Sequence, residues 1–130
     1  MHPKHYPARK VRLFSIINTT KNTVIARKGA VADTFLARMT GLLNRRSLEK
    51  GEALVITRCQ SIHMFFMRFA IDAIFVDQNN CVVGLVNNIK PFRLSRIFFG
   101  ARYVIEIPVG TIVQTDTLLG DTVKIEETQA

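Results

Sequence analysis

The chain has 130 residues, with 18 Lys+Arg against 10 Asp+Glu, a formal net charge of +8, 48% hydrophobic and 22% charged residues. That length is one domain, and a chain of this size and apolar content builds one core without disulfides or metal. A multidomain enzyme, a collagenous chain, a disulfide scaffold and an intrinsically disordered chain are excluded.

Residues 1–9 read as a mobile tail, because Pro3 and Pro7 interrupt a polar segment; residues 10–130 read as a single domain. The early apolar run LFSII is shorter than a signal-peptide core, and no Ala-x-Ala-like site follows. No apolar stretch reaches the length of a membrane span, because Arg68 and Asp72 interrupt the best one. The expected location is cytoplasmic. From Lys10 to Asn18 the β-branched, alternating pattern predicts a strand. Thr19-Thr20-Lys21-Asn22 is a turn, and TVIAR returns as a second strand.

DTFLARMTGLLNR carries the one strong helix signal, placed near residues 33–44. Asp33 or Thr34 caps its first turn, and Phe35, Leu36, Met39, Leu42 and Leu43 form one apolar stripe at helical period. Gly51 marks a turn before the strand ALVI. The centre, IHMFFMRFAIDAIFVD, is rich in aromatic and β-branched residues and fits a long strand, or two with a bend, better than a helix. Phe65, Phe66, Phe69 and Phe75 read as core, with an exposed aromatic strip as the alternative. Asp77-Gln78-Asn79-Asn80 turns the chain, and CVVGLV pairs back as a hairpin. After a longer connection over residues 87–101, RYVIEIP is a strand that Pro108 ends. VGTIVQTDTLLGD is a turn or one-turn helix, and TVKIEE closes the chain as a strand. Roughly six to eight short strands with one helix predict a mainly β domain, compact and sandwich- or barrel-like. Strands and helices do not alternate, which disfavours a doubly wound α/β fold.

Charge is unevenly laid out. Residues 1–30 hold seven cations and no acid, whereas after Arg102 only Lys124 stands against Glu106, Asp116, Asp121, Glu126 and Glu127. One reading is intramolecular pairing between neighbouring strands; the other is an electrostatic surface for anionic partners, through residues 4–28 and 90–102. No finger spacing, aromatic RNA-binding strand signature or helix-turn-helix supports nucleic acid. In KPFRLSRIFFGAR, Lys90, Arg93, Arg96 and Arg102 interleave with Phe92, Phe98 and Phe99. Either the aromatics tuck under a solvated loop, or the loop docks on a lipid surface or an acidic protein surface. Cys59 and Cys81 lie in no C-x-x-C or zinc spacing and read as buried thiols. No metal site or cofactor is expected, since the other histidines, His2 and His5, fall in the tail.

Three segments together resemble a known family. Ala32, Thr34, Arg38, Gly41, Leu42, Leu43 and Arg45 match its helix motif. His63, Phe65, Phe66, Met67, Asp72, Phe75 and Asp77 match its central signature, and Tyr103, Glu106, Pro108, Gly110, Gly120 and Asp121 its closing pattern. The chain is similar, from about Asn18 to Glu126, to the family called domain of unknown function 192. The resemblance implies a mainly β, sandwich-like fold with short helices and no established activity. Many relatives look exported, whereas this sequence shows no signal segment; Phe66 stands where a tryptophan is common.

Arg38, His63, Asp72 and Glu106 are more polar than a core needs, and a carboxylate amid apolar strands has to be paired, hydrogen-bonded or neutralised. Arg38 is the natural partner, because its planar fork holds a carboxylate with two bonds. Two readings stay open. One is a buried network fixing the helix on the sheet. The other is a polar cleft in which Arg38 and His63 face an anionic small molecule while Asp72 and Glu106 orient them. The chain is therefore read as a non-enzymatic binding or accessory module. The alternative, a small hydrolase using His63 with Asp72 or Glu106, lacks a nucleophile motif around Ser61 or Cys59.

Overall fold

Alternating apolar residues need a partner strand on each side and a cover on each buried face. The computed structural model describes residues 12–32, 47–64 and 67–128. It meets both needs with a single seven-stranded sheet in the order β5-β4-β6-β3-β2-β1-β7. The strands are β1 Phe14–Asn18, β2 Thr23–Ala32, β3 Glu52–Thr57, β4 Ile71–Val76, β5 Val82–Ile89, β6 Tyr103–Ile107 and β7 Val123–Glu127, and one short helix, α1, spans Thr111–Gln114. Neighbours are antiparallel except β2 and β3, which run parallel with Lys28 opposite Glu52 and Ala32 opposite Ile56. The sheet curls into a half-barrel. Its two edges approach each other at one end, where Cys81 before β5 bridges Thr122 before β7. The mainly β, barrel-like expectation holds, with one curled sheet in place of a two-sheet sandwich. The helix expected near residues 33–44, and the tail over 1–9, lie outside the described residues.

Each face of the sheet carries its own core. The inner face gathers Ile16, Ile25, Val55, Ile74, Ile105 and Ile107 around Ile112 of α1. The outer face gathers Leu54, Ile56, Ala73, Phe75 and Val104 under Ile62, Met64 and Met67. Because both faces are covered, every residue of β4 is buried. This explains the near-continuous apolar run IDAIFV, which a strand wet on one side would not show. The central segment is shorter as a strand than its composition suggests: β4 begins at Ile71, and His63 makes only an isolated bridge to Leu94. The segment before β4 leaves the sheet to roof the outer core. The turn at Asp77–Asn80 forms as expected, with Asn80 at φ 61°, a conformation asparagine tolerates. Asp77 Oδ1 accepts the N–H groups of Asn79 and Cys81 at 2.9 Å.

The basic front and acidic back of the chain meet in space because β1 pairs antiparallel with β7, placing Phe14 opposite Glu127. Arg12 donates two hydrogen bonds to Glu127, at 3.0 and 2.9 Å. The Arg12 hydrogen bond holds the Glu127 carboxyl below its ordinary range. Lys21 Nζ lies 3.1 Å from Asp121 and 3.9 Å from Asp116. For these residues the charge asymmetry is satisfied within the molecule.

Candidate functional site

Asp72 is fully buried in β4, and the strand beside it explains why. Ile71 pairs with Ile89 and Ala73 with Val86, so β5 carries one extra residue at this point. This β-bulge leaves a ladder position unpaired, and Asn88 takes a left-handed φ of 52°. Asp72 Oδ1 accepts the freed Asn88 N–H at 2.9 Å. Its Oδ2 accepts Gly110 N–H at 3.0 Å and Ile112 N–H at 3.1 Å. Gly110, at φ 96°, is the residue that turns the chain into α1, a backbone state that costs glycine little. One carboxylate thus fills a bulge on one strand and receives the opening turn of a helix on another. The Asp72 oxygens are engaged by backbone amides, and the residue belongs to the inner face.

Glu106 is also fully buried, but it lies opposite Ala73 of β4 and Leu54 of β3. Those partners belong to the outer core, so Glu106 faces outward from the half-barrel while Asp72 faces inward. The Glu106 Oε2 and the His63 Nδ1 are both closed off from solvent. His63, half-buried, sits on the segment whose Ile62, Met64 and Met67 cover the Glu106 face. Arg38 lies outside the described residues. Of the four expected cleft residues, His63 and Glu106 fall on the same side of the sheet and Asp72 on the other. Among the described residues no three His, Cys, Asp or Glu side chains come together as a metal site.

A groove opens elsewhere, between β2, the start of β3 and α1. Its volume is about 290 Å³, and its lining includes Arg27, Lys50, Gly51, Thr111, Gln114 and Thr115, with no acidic residue among the lining side chains. The walls are pinned. Gly51 O accepts the N–H groups of Arg27 and Lys28 at 2.9 Å, and Thr23 Oγ1 donates to Thr115 O at 2.8 Å. The α1 wall is itself held by Asp72. Sequence reading missed Arg27, Lys50 and Gln114, since none stands in a motif. Only the parallel β2–β3 pairing and the placement of α1 bring them to one mouth.

Beside this wall, Asn18 and Asp121 knot the β1–β2 turn to the loop after α1. Asn18 Nδ2 donates to Asp121 Oδ2 at 2.9 Å and to Thr117 Oγ1 at 3.1 Å. Leu118 N–H donates to the same carboxylate at 2.9 Å and Lys21 Nζ at 3.1 Å. Burial pushes the Asp121 carboxyl up, but the bonds from Asn18, Leu118 and Lys21 outweigh it and hold the group below its ordinary value. Nearby, where Asn80 O accepts the Val123 N–H at 2.9 Å, Tyr103 donates to Asn80 Oδ1 at 3.0 Å. Its phenol is pushed up to about 12, by burial first and by the nearby Asp77 charge second.

The 90–102 connection shows a mixture of the two expected behaviours. Phe98 tucks in, stacked on Phe75 with centroids 4.4 Å apart; Phe92 and Phe99 remain exposed. Phe75 and Phe69 also pack in the outer core, while Phe65 and Phe66 lie outside the described residues. Cys59 and Cys81 are separate, half-buried thiols, and Cys59 Sγ lies 3.0 Å from Ser61 O.

The family profile for domain of unknown function 192, described as "Uncharacterized ACR", matches residues 16–125. A UPF0127 protein of Thermococcus sibiricus is 37% identical over 115 residues, covering 85% of this chain and 74% of the relative. A UPF0127 protein of Pyrococcus horikoshii is 37% identical over 115 residues, covering 84% of this chain and 96% of the relative. The chain belongs to the domain of unknown function 192 family. A crystal structure of a protein of unknown function from Novosphingobium aromaticivorans shares the fold, with a TM-score of 0.74 at 21% identity over 95% of this chain and 93% of that one. None of these names states an activity. Among the described residues, no helix is long and apolar enough to cross a membrane.

Proposed function

We propose that the protein is a non-enzymatic binding module for a small anionic ligand, taken up in the groove between β2 and α1. The carrying observation is the groove of about 290 Å³ whose charged lining residues are Arg27 and Lys50. That volume is at the lower end of what holds small molecules. Two cations with no neighbouring acid in the wall attract an anion, and Gln114 adds an amide able to donate or accept. A ligand-binding scaffold gains from a rigid wall, and Asp72 supplies that rigidity by fixing both Gly110 and Ile112. The reading retains the anionic ligand class expected from sequence and moves its site.

Thermal unfolding in the presence of inorganic phosphate, pyrophosphate and citrate tests it. At least one should raise Tm in a concentration-dependent way, and Arg27→Gln with Lys50→Gln should abolish the rise while leaving the ligand-free Tm close to wild type. No rise with any of the three, or a rise that survives the double substitution, would count against the groove.

A further inference from the structure

The connection from Lys90 to Arg102 carries an unusual combination of order and exposure. Residues 78–105 contain no Asp or Glu, and Lys90, Arg93, Arg96 and Arg102 fall within them; all four cations are exposed. Between them stand large apolar side chains that face solvent: Phe92 is 67% exposed, Leu94 66%, Ile97 49% and Phe99 81%. Side chains this exposed project from the surface and line no pocket.

The exposure is built in. Met64 N–H donates to Arg93 O and Phe92 N–H to Met64 O, both at 2.8 Å. Ser95 N–H donates to Ile62 O at 2.9 Å and Phe98 N–H to Gln60 O at 2.8 Å. The Phe98 ring stacks on the Phe75 ring, with centroids 4.4 Å apart, and the Arg96 guanidinium lies 5.2 Å from the Phe98 centroid. The backbone of Gly84 leaves room for it: a Cβ there would meet Phe98 Cδ1 at 2.3 Å. With Phe98 clamped, its neighbours Ile97 and Phe99 are held out. At the other end, Arg93 N–H donates to Lys90 O at 3.2 Å, closing a turn with Pro91 and Phe92 at its centre. Phe92 has φ 66°, at the position such turns usually give to glycine. A bulky side chain held in this conformation is strained, and strain of this kind concentrates where a surface has a task.

We propose that the 90–102 connection is a peripheral docking surface for a bilayer containing anionic lipids. Phe92, Leu94, Ile97 and Phe99 would enter the headgroup–acyl boundary, and Lys90, Arg93 and Arg102 would meet lipid phosphates and carboxylates. Exposed apolar side chains interleaved along the loop with exposed cations complement an anionic interface that is apolar just beneath its charge. An acidic protein partner would instead need apolar pockets to receive them, and a second copy would bring four like charges against four. The pre-ordered loop loses little conformational freedom on docking.

Co-sedimentation of the full chain with vesicles tests the proposal, comparing phosphatidylcholine alone with phosphatidylcholine containing phosphatidylserine. Binding is expected only to the anionic vesicles, falling as salt rises. Phe92→Ala with Phe99→Ala should weaken it at least tenfold, and Lys90→Gln or Arg93→Gln should each weaken it about fivefold. These side chains are exposed, so Tm should stay close to wild type in every variant. No binding to anionic vesicles overturns the proposal, as does equal binding to both kinds or binding untouched by the double phenylalanine substitution. A dimer in solution that the double phenylalanine substitution dissolves would assign the surface to self-association and also overturn it. The groove proposed above is separate, so Arg27→Gln with Lys50→Gln should leave vesicle binding intact.

Discussion

Asp72 and Glu106 stand one register step apart on the neighbouring strands β4 and β6, and their side chains leave the sheet on opposite faces. Asp72 is paired with Ile107 and Ala73 with Glu106. Directly paired residues share a face and successive residues alternate, so a carboxylate pair that looks related in sequence is divided by the sheet itself. Asp72 serves the inner half-barrel and the α1 wall of the groove. Glu106 serves the outer face under the segment that carries His63.

Asp72→Ala leaves the N–H groups of Asn88, Gly110 and Ile112 without their acceptor. The buried Ile112 N–H so stranded costs about 1–3 kcal/mol, and the part-buried Asn88 and Gly110 donors, which water reaches more easily, cost less. The expected loss is about 2–4 kcal/mol, read from the urea midpoint. Asp72→Asn should cost less, because its one remaining oxygen still accepts. A loss below about 1 kcal/mol for the alanine variant would show that α1 holds its place without Asp72.

Gly84→Ala should unseat Phe98. The new methyl would sit 2.3 Å from Cδ1 and 2.4 Å from Cε1 of that ring, so ring or strand must shift. Overpacking of this kind costs about 1–3 kcal/mol. The near-ultraviolet circular dichroism of the Phe75–Phe98 stack should change with it. An unaltered spectrum together with unaltered stability would show that the loop does not depend on this seat.

Acid should weaken the knot around Asp121. Its carboxyl is held below the ordinary value in the folded chain, so on acidification the unfolded chain takes up the proton first. The contribution to stability is complete above about pH 4, the unfolded aspartate value, and is lost as pH falls through the lower folded value. Asp121→Asn should therefore be less stable than wild type near neutrality, and the gap should narrow below that pH in denaturation curves. A gap independent of pH would remove Asp121 from the acid response.

Base should reveal Tyr103 as a late-ionising phenol. With its pKa pushed up to about 12, it stays protonated in the folded chain where an unfolded tyrosine, near 10, has ionised. Folding stability should accordingly fall as pH rises from about 10 toward the folded value. Tyrosinate absorbance should show a late step that Tyr103→Phe removes. A titration complete near pH 10 would contradict the burial of this hydroxyl.

Much of the fold is legible locally. The turn at Asp77–Asn80, the strand RYVIEI ending before Pro108, the one-turn helix after Gly110 and the closing strand from Val123 all follow from turn chemistry and alternation. The central run was harder to read. Where both faces of a strand are covered, as along Ile71–Val76, polarity no longer alternates, and composition does not separate strand from roof. His63 and Met64 therefore read as strand, although the chain there has already left the sheet.

The amino-acid sequence by itself determined a single mainly β domain of a recognisable family, a basic front that could meet an acidic back, and a loop mixing cations with aromatics. Tertiary structure alone decided how those parts are used. The bulge at Asn88 and the pairing of β4 with β6 set Asp72 on one face and Glu106 on the other. The parallel pairing of β2 with β3 brought Arg27 to Lys50. Gly84 offered a seat to Phe98, leaving Phe92 and Phe99 in solvent. The physical reason is common to all three: alternation along a strand determines which residues share a face. Which face is inside, and which distant residue lies opposite, is settled only when the strands pair and the sheet curls.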